Sequence, residues 1–315
     1  MSQTLAFVFP GQGSQAVGML ASLAQEHSQI TETFVEASEV LGYDLWALCQ
    51  DGPEADLNRT DRTQPAILAA SVALWRLWCS TNPVRPAYVA GHSLGEYSAL
   101  VAAEVISFAD ALRLVERRGQ LMQQAVPEGQ GGMAAILGLE DNQIVDICAQ
   151  AAQGEVVSAV NFNAPGQVVI AGQASAVERA IEQCKAAGAK RAIALPVSVP
   201  SHCALMKPAA EQLSTDLDVL SWREPQIILV QNVSARPAAD LDSLRQQLVE
   251  QLYNPVRWVE SIEWMAAQGV TDLVECGPGR VLSGLNKRCV KGIGTHNLDS
   301  AEAFTAASNT LKQGA

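Results

Sequence analysis

The most informative residues of this chain are Gly91, His92, Ser93, Leu94 and Gly95, which read Gly-x-Ser-x-Gly. An apolar run at 87–90 leads into them, and an alanine-rich stretch at 96–104 that reads as helix follows. A serine on a tight turn between a strand and a helix is a nucleophile elbow. The turn exposes the hydroxyl, and the flanking glycines let neighbouring backbones pass close. Free N–H groups and the helix dipole at the following N-terminus favour negative charge there.

A serine hydroxyl is a poor nucleophile at neutral pH and needs a base. The chain has four histidines. His27 lies in a polar stretch near a helix, and His296 is close to the C-terminus. His92 neighbours the nucleophile, so its side chain points the other way and reads as a packed elbow histidine. His202, in Val199-Pro200-Ser201-His202, follows the last strand of what reads as an inserted unit. Strand ends and domain junctions are where sites assemble. Elimination and position select His202, although without the elbow a capping or surface role would compete.

Two further segments carry chemistry. In Phe9-Pro10-Gly11-Gln12-Gly13-Ser14-Gln15, the spacing Gly11-x-Gly13-x-x-Ala16 formally matches a dinucleotide fingerprint. The acidic residue that such a site needs about twenty positions later would be Glu32 or Glu36, inside a helical pattern instead of at a strand end. The segment reads better as a glycine-supported loop that brings a backbone or side-chain donor towards Ser93. Glu116-Arg117-Arg118-Gly119 lies on an amphipathic helix. Adjacent arginines there usually make a solvated face. A buried arginine fork would suit a carboxylate, and Gly119 would let another backbone approach.

The elements that must position these groups follow from periodicity. Residues 5–9 read as a buried strand, with helices over 29–42 and 65–79, the second opened by Pro65 in its first turn. A charged amphipathic helix covers 108–124. A break at 127–132 precedes a separate rhythm: strand 133–139, helix 141–152, strand 156–161, a turn at 164–166, strand 167–171, helix 174–187 and strand 190–197. That order, βαββαβ, is the ferredoxin-like unit. The α/β pattern then resumes, with parallel-type strands at 227–232 and 270–275 and helices near 240–252, 257–267 and 280–288. The expected fold is α/β: a large parallel-sheet, α/β hydrolase-like domain (1–127 and 199–315) with an inserted ferredoxin-like small domain (128–198).

Composition sets the class. Hydrophobic residues make up 48% and charged residues 17%, enough for a sizeable core. The formal charge of −12 disfavours nucleic acid and anionic membrane surfaces as general partners. The apolar run at 5–9 is too short for a signal peptide and no basic segment precedes it, so the expected location is the cytoplasm. Seven scattered cysteines without a Cys-x-x-Cys fit a reduced compartment and no metal site.

Phe-Pro-Gly-Gln-Gly at 9–13, Gly-His-Ser-Leu-Gly at 91–95, Arg118 in Glu-Arg-Arg-Gly and Val-Pro-Ser-His at 199–202 occur in that order. Tyr253-Asn254-Pro255-Val256-Arg257-Trp258 and Glu275-Cys276-Gly277-Pro278-Gly279 join them. Over nearly its whole length the chain resembles the free-standing malonyl-CoA:acyl carrier protein transacylases of bacterial type II fatty acid synthesis. The resemblance implies that Ser93 is the acyl-enzyme nucleophile and His202 its base. It implies that the main-chain carbonyl of Gln251 orients His202. Gln12 and the Leu94 N–H would be oxyanion donors, and Arg118 would pair with the malonyl carboxylate. The implied partners are malonyl-CoA and acyl carrier protein. The expected protein is a monomer without metal or bound cofactor, with CoA entering as part of a substrate. An esterase or thioesterase shares the Ser…His order but would normally need an intervening acid and has no use for Arg118. A non-catalytic carrier-protein scaffold would not need the Ser93 and His202 pair.

Overall fold

All five residues of β1 (Leu5–Phe9) are buried, and they divide between two cores. Leu5, Phe7 and Phe9 pack on one face, where the Phe7 ring meets Trp75 and Trp78 of the Thr60–Thr81 helix edge-on, at 5.3 Å from each. Ala6 and Val8 pack on the other face with Trp258, Ile262 and Met265 of the Trp258–Ala267 helix. A strand covered by helices on both faces has no polar side, so its sequence is a continuous apolar run.

The computed structural model describes residues 4–197 and 199–313. Around β1, the strands β2 (Tyr88–Gly91), β7 (Ile228–Val230), β8 (Asp272–Glu275) and β9 (Gly294–Asn297) form a parallel sheet ordered β7-β2-β1-β8-β9. A second sheet, antiparallel, is made of β3 (Gly131–Leu137), β4 (Val157–Ala164), β5 (Gln167–Gln173) and β6 (Arg191–Ala194), ordered β4-β5-β3-β6. With the helices Asp141–Ala152 and Ala174–Ala186 this is the ferredoxin-like βαββαβ unit, inserted in the α/β fold. Ile136, Val168 and Ile170 of its sheet pack against Ile144, Cys148, Val177 and Ile181 of those two helices. β6 is shorter than the strand expected at 190–197. The Leu195 N–H still bonds to Met133, but Pro196 has no N–H to continue the ladder.

The small unit is stitched to the large one through β4. The Phe162 N–H donates to the Val256 carbonyl (3.0 Å) and the Val256 N–H to that of Val160 (2.9 Å). This brings Asn163 to the end of β2.

The structure departs from expectation at Pro65, which is interior to a helix that starts at Thr60. Pro65 removes the N–H that would bond to the Asp61 carbonyl. The first turn is kept by burial: Asp61 and Gln64 lie against the Phe108–Ala125 helix, where a Cβ on Gly119 would come within 2.7 Å of the Asp61 Cα, and Thr63 Oγ1 donates to the Leu57 carbonyl. The helices Lys207–Asp218 and Ala301–Gln313 and the strand β9 were not anticipated.

Candidate active site

The chain leaves β2 at Gly91 and enters the Gly95–Ala102 helix at Gly95. Between them Ser93 has φ 53°, in the left-handed region. A non-glycine residue held there stores about 1–3 kcal/mol of strain, and the surroundings must over-determine it. Asn232, just beyond β7, does so: it accepts from the Ser93 N–H through Oδ1 (2.7 Å) and donates through Nδ2 to the Gly91 carbonyl (2.6 Å). Gly95 is fixed by contact, because a Cβ there would lie 2.0 Å from the Phe9 carbonyl oxygen. The turn is closed against the end of β1 with no room for a side chain.

Ser93 Oγ lies 2.7 Å from Nε2 of His202, and Nδ1 of His202 lies 2.7 Å from the main-chain oxygen of Gln251. A carbonyl only accepts, so Nδ1 carries the proton and the Nε2 lone pair faces the serine hydroxyl. His202 is also in the left-handed region (φ 65°), anchored by its N–H to the Leu252 carbonyl at 2.9 Å. Burial, then the nearby positive charge of Arg118, pushes its imidazole down to about 3. The imidazole is neutral, with its Nε2 lone pair towards the serine hydroxyl.

Arg118 resolves the ambiguity left by the paired arginines. Arg117 is partly exposed and pairs with Asp216, and Glu116 pairs with Arg62, whereas Arg118 is wholly buried. Its Nη1 donates to Gln64 Oε1 (2.8 Å), and its Nη2 donates to Gln251 Oε1 (3.0 Å) and reaches Ser93 Oγ at 3.4 Å. The Tyr97 ring lies 5.4 Å away, and Nε has no hydrogen-bond partner among the described residues. Burial lowers its pKa, but a guanidinium stays charged in any protein setting. All its hydrogen-bond partners are neutral. A buried cation so arranged gains most from an anionic ligand beside the serine.

The remaining expected residues surround this core. Among the described residues the Leu94 N–H, at the start of the elbow helix, donates to no protein acceptor. Gln12 is exposed on the loop after β1, and among the described residues its side chain makes no hydrogen bond. That loop rests on the elbow, since a Cβ on Gly11 would sit 2.5 Å from the His92 carbonyl oxygen. No helix begins on the Gly11–Gly13 turn. The next one starts at Ala21, and Glu32 and Glu36 lie within the Ser28–Leu41 helix, so the dinucleotide reading fails. His92 turns away from Ser93, with Nε2 on Asn163 Oδ1 (2.7 Å) and its ring against Trp258. Gln251, at the end of the Leu241–Glu250 helix, is buried. Among the described residues no cluster of three or more His, Cys, Asp or Glu could hold a metal.

Sequence reasoning missed Asn232, Gln64, Asn163 and Glu96. Glu96 carried the one available signal, a charged residue in an otherwise apolar helix directly after the elbow. It is buried, and desolvation raises its carboxyl to about 7.

Residues 6–305 match the acyl transferase domain family. A malonyl CoA-acyl carrier protein transacylase of Salmonella typhimurium is 60% identical over 302 residues, which is 96% of this chain and 98% of that protein. The crystal structure of an acyl carrier protein S-malonyltransferase from Vibrio cholerae superposes with a TM-score of 0.95 at 61% identity, covering 97% of this chain and 100% of that one. A malonyl-transacylase solved in complex with its type II polyketide acyl carrier protein superposes with a TM-score of 0.97 at 56% identity, covering 98% and 100%. With the elbow, the buried arginine and the carbonyl-held histidine in one constellation, this chain belongs to the malonyl-CoA:acyl carrier protein transacylase family of acyl transferases.

Proposed function

We propose that the chain moves a malonyl group from malonyl-CoA to the phosphopantetheine thiol of acyl carrier protein, through a malonyl ester on Ser93. The carrying observation is the wholly buried Arg118, bound only by neutral groups, beside a serine 2.7 Å from its base. An esterase has no need of that cation.

The malonyl carboxylate pairs with Arg118 and brings the thioester carbonyl to Ser93. The Oγ–H proton passes to Nε2 of His202 as Oγ attacks, and the new charge on the carbonyl oxygen is met by the Leu94 N–H and Gln12. One such donor can be worth ~10²–10³ in rate. His202 returns the proton to the departing CoA sulfur. The carrier-protein thiol then attacks the ester by the same route reversed. The carboxylate also acts on the base. Arg118 is the second cause of the low His202 pKa, and a bound anion neutralises it. Malonyl binding therefore raises the basicity of His202 just when it is needed, which acetyl cannot do.

The reading includes a division into 1–127 with 199–315 and an inserted 128–198, a monomeric protein, a cytoplasmic location and no resident cofactor. Among the described residues no helix is long and apolar enough to cross a membrane. Carrier protein and enzyme are both acidic, so docking needs a local basic patch. Two clusters qualify, Lys185 with Lys190 and Arg191, and Lys287 with Arg288 and Lys291, all exposed. Lys185 is engaged by Glu182 at 2.7 Å, while Arg288 spans to the β4–β5 turn at Pro165 and Gln167. Lys207 lies over the Tyr253 ring, next to the Leu252 carbonyl that anchors His202.

Incubation with malonyl-CoA tests the function. A transacylase holds the acyl group until carrier protein arrives. Prompt release of malonate would mean a hydrolase, and absence of any adduct a scaffold.

A further inference from the structure

We infer that Glu96 is a positioning residue: through the Gln251 side chain it holds the carbonyl that orients His202 and the amide oxygen that holds Arg118. This rests on the roles proposed above for Ser93 and His202.

Glu96 lies in the first turn of the Gly95–Ala102 helix and is buried. Its Oε2 accepts from Gln251 Nε2 (2.7 Å) and from the Asn232 N–H (3.3 Å). Gln251 Nε2 also donates to the Ser93 carbonyl at 3.0 Å. The Ser93 carbonyl and ionised Glu96 only accept, and Arg118 only donates. One orientation of the Gln251 amide satisfies all three, with Nε2 towards Glu96 and Ser93 and Oε1 towards Arg118. The main-chain oxygen of the same residue receives the His202 Nδ1 proton. Gln251 thus touches base, nucleophile and arginine. Asn232, the other partner of Glu96, is the residue that pins the Ser93 N–H. The two residues that hold the elbow and the base in register therefore share Glu96.

Burial raises the Glu96 carboxyl to about 7, opposed by hydrogen bonds from Gln251 and the Asn232 N–H, and by Arg118 on the Phe108–Ala125 helix. Tyr97 is the titratable neighbour on its own helix, and its hydroxyl is pushed up to about 12. In the unliganded site Glu96 is thus the group nearest neutrality, since His202 lies near 3 there. Ionised Glu96 accepts from Gln251 Nε2 and the Asn232 N–H more strongly than the neutral acid and offsets the Arg118 charge, so acylation should rise with pH as Glu96 deprotonates.

The test is the single-turnover rate of enzyme malonylation by malonyl-CoA, read by intact mass from about pH 5.5 to about pH 8.5, for wild type, Glu96→Gln, Glu96→Ala and Ser93→Ala. Glu96→Gln keeps the shape and an acceptor oxygen but removes the charge. Wild type should rise through neutrality, whereas Glu96→Gln should lose that rise and run about tenfold or more slower at the alkaline end. Glu96→Ala should be slower still. If Glu96→Ala fails to fold, the shape of the Glu96→Gln profile decides. A Glu96→Gln profile with the wild-type shape overturns the inference. An adduct on Ser93→Ala overturns the underlying site reading instead.

Discussion

The two sheets bury different things. The antiparallel sheet buries an ordinary apolar face: Ile136, Val168 and Ile170 meet Ile144, Val177 and Ile181, and among the described residues no charged side chain is buried with them. The parallel sheet, where β1, β2 and β7 end, buries Arg118, Glu96, His202, Gln251 and Asn232 in one network and holds Ser93 and His202 at positive φ. Burial of unpaired charge and backbone strain both cost stability. They are concentrated where the proposed chemistry needs a preset nucleophile, base and cation. The small unit is built for folding, and the junction between the two is carried by hydrogen bonds from β4.

That contrast can be broken at several points. The largest effect should come from Gly95→Ala, whose methyl would overlap the Phe9 carbonyl, backbone against backbone. Thermal unfolding should show a loss of about 3 kcal/mol or more, and the malonyl adduct should vanish. Arg118→Ala should lower malonyl transfer by about 10²–10⁴, the equivalent of the 3–5 kcal/mol typical of a broken buried pair. Acetyl transfer should fall less or rise, because His202 loses a repulsive neighbour. Equal losses for both acyl groups, measured by steady-state kinetics, would make Arg118 structural. In the small unit, Ile170→Ala should cost about 2–5 kcal/mol in denaturant unfolding, yet leave malonylation of the folded protein nearly unchanged.

Smaller effects sharpen the picture. The folded pKa of His202 lies below its unfolded value of about 6.5, so stability is fully present above that pH. It is lost as pH falls towards the folded value, because the unfolded chain takes up a proton that the native site refuses. Between pH 7 and pH 5 this amounts to about 2 kcal/mol at most, and His202→Ala should lack it in parallel denaturant titrations. The smallest effect should follow Lys287→Glu with Lys291→Glu. The KM for carrier protein should rise and its salt dependence flatten, with malonylation by malonyl-CoA unchanged.

Local pattern revealed what is local. The run at 5–9 coincides with β1, and the helix expected at 141–152 with Asp141–Ala152. The elbow was legible because its glycines, serine and flanking elements are contiguous. The network behind it was not: Glu96 meets Gln251 across 155 positions, and Asn232 meets Ser93 across 139. No spacing in one sequence signals such a pair. In the sequence alone Arg118 suits either a solvated or a buried place, since the choice depends on Gln64 and Gln251 arriving from other helices. β9, Gly-Thr-His-Asn, is a polar edge strand without an apolar run, so periodicity passes over it.

The central claim is that Ser93 carries the acyl group. The direct measurement is to trap the enzyme with malonyl-CoA, digest it and locate the malonyl ester by peptide mass spectrometry, for wild type and Ser93→Ala in parallel. The ester should map to Ser93 in wild type and be absent from a folded Ser93→Ala protein. A malonyl ester on any other residue, or an undiminished adduct in the variant, would contradict the account.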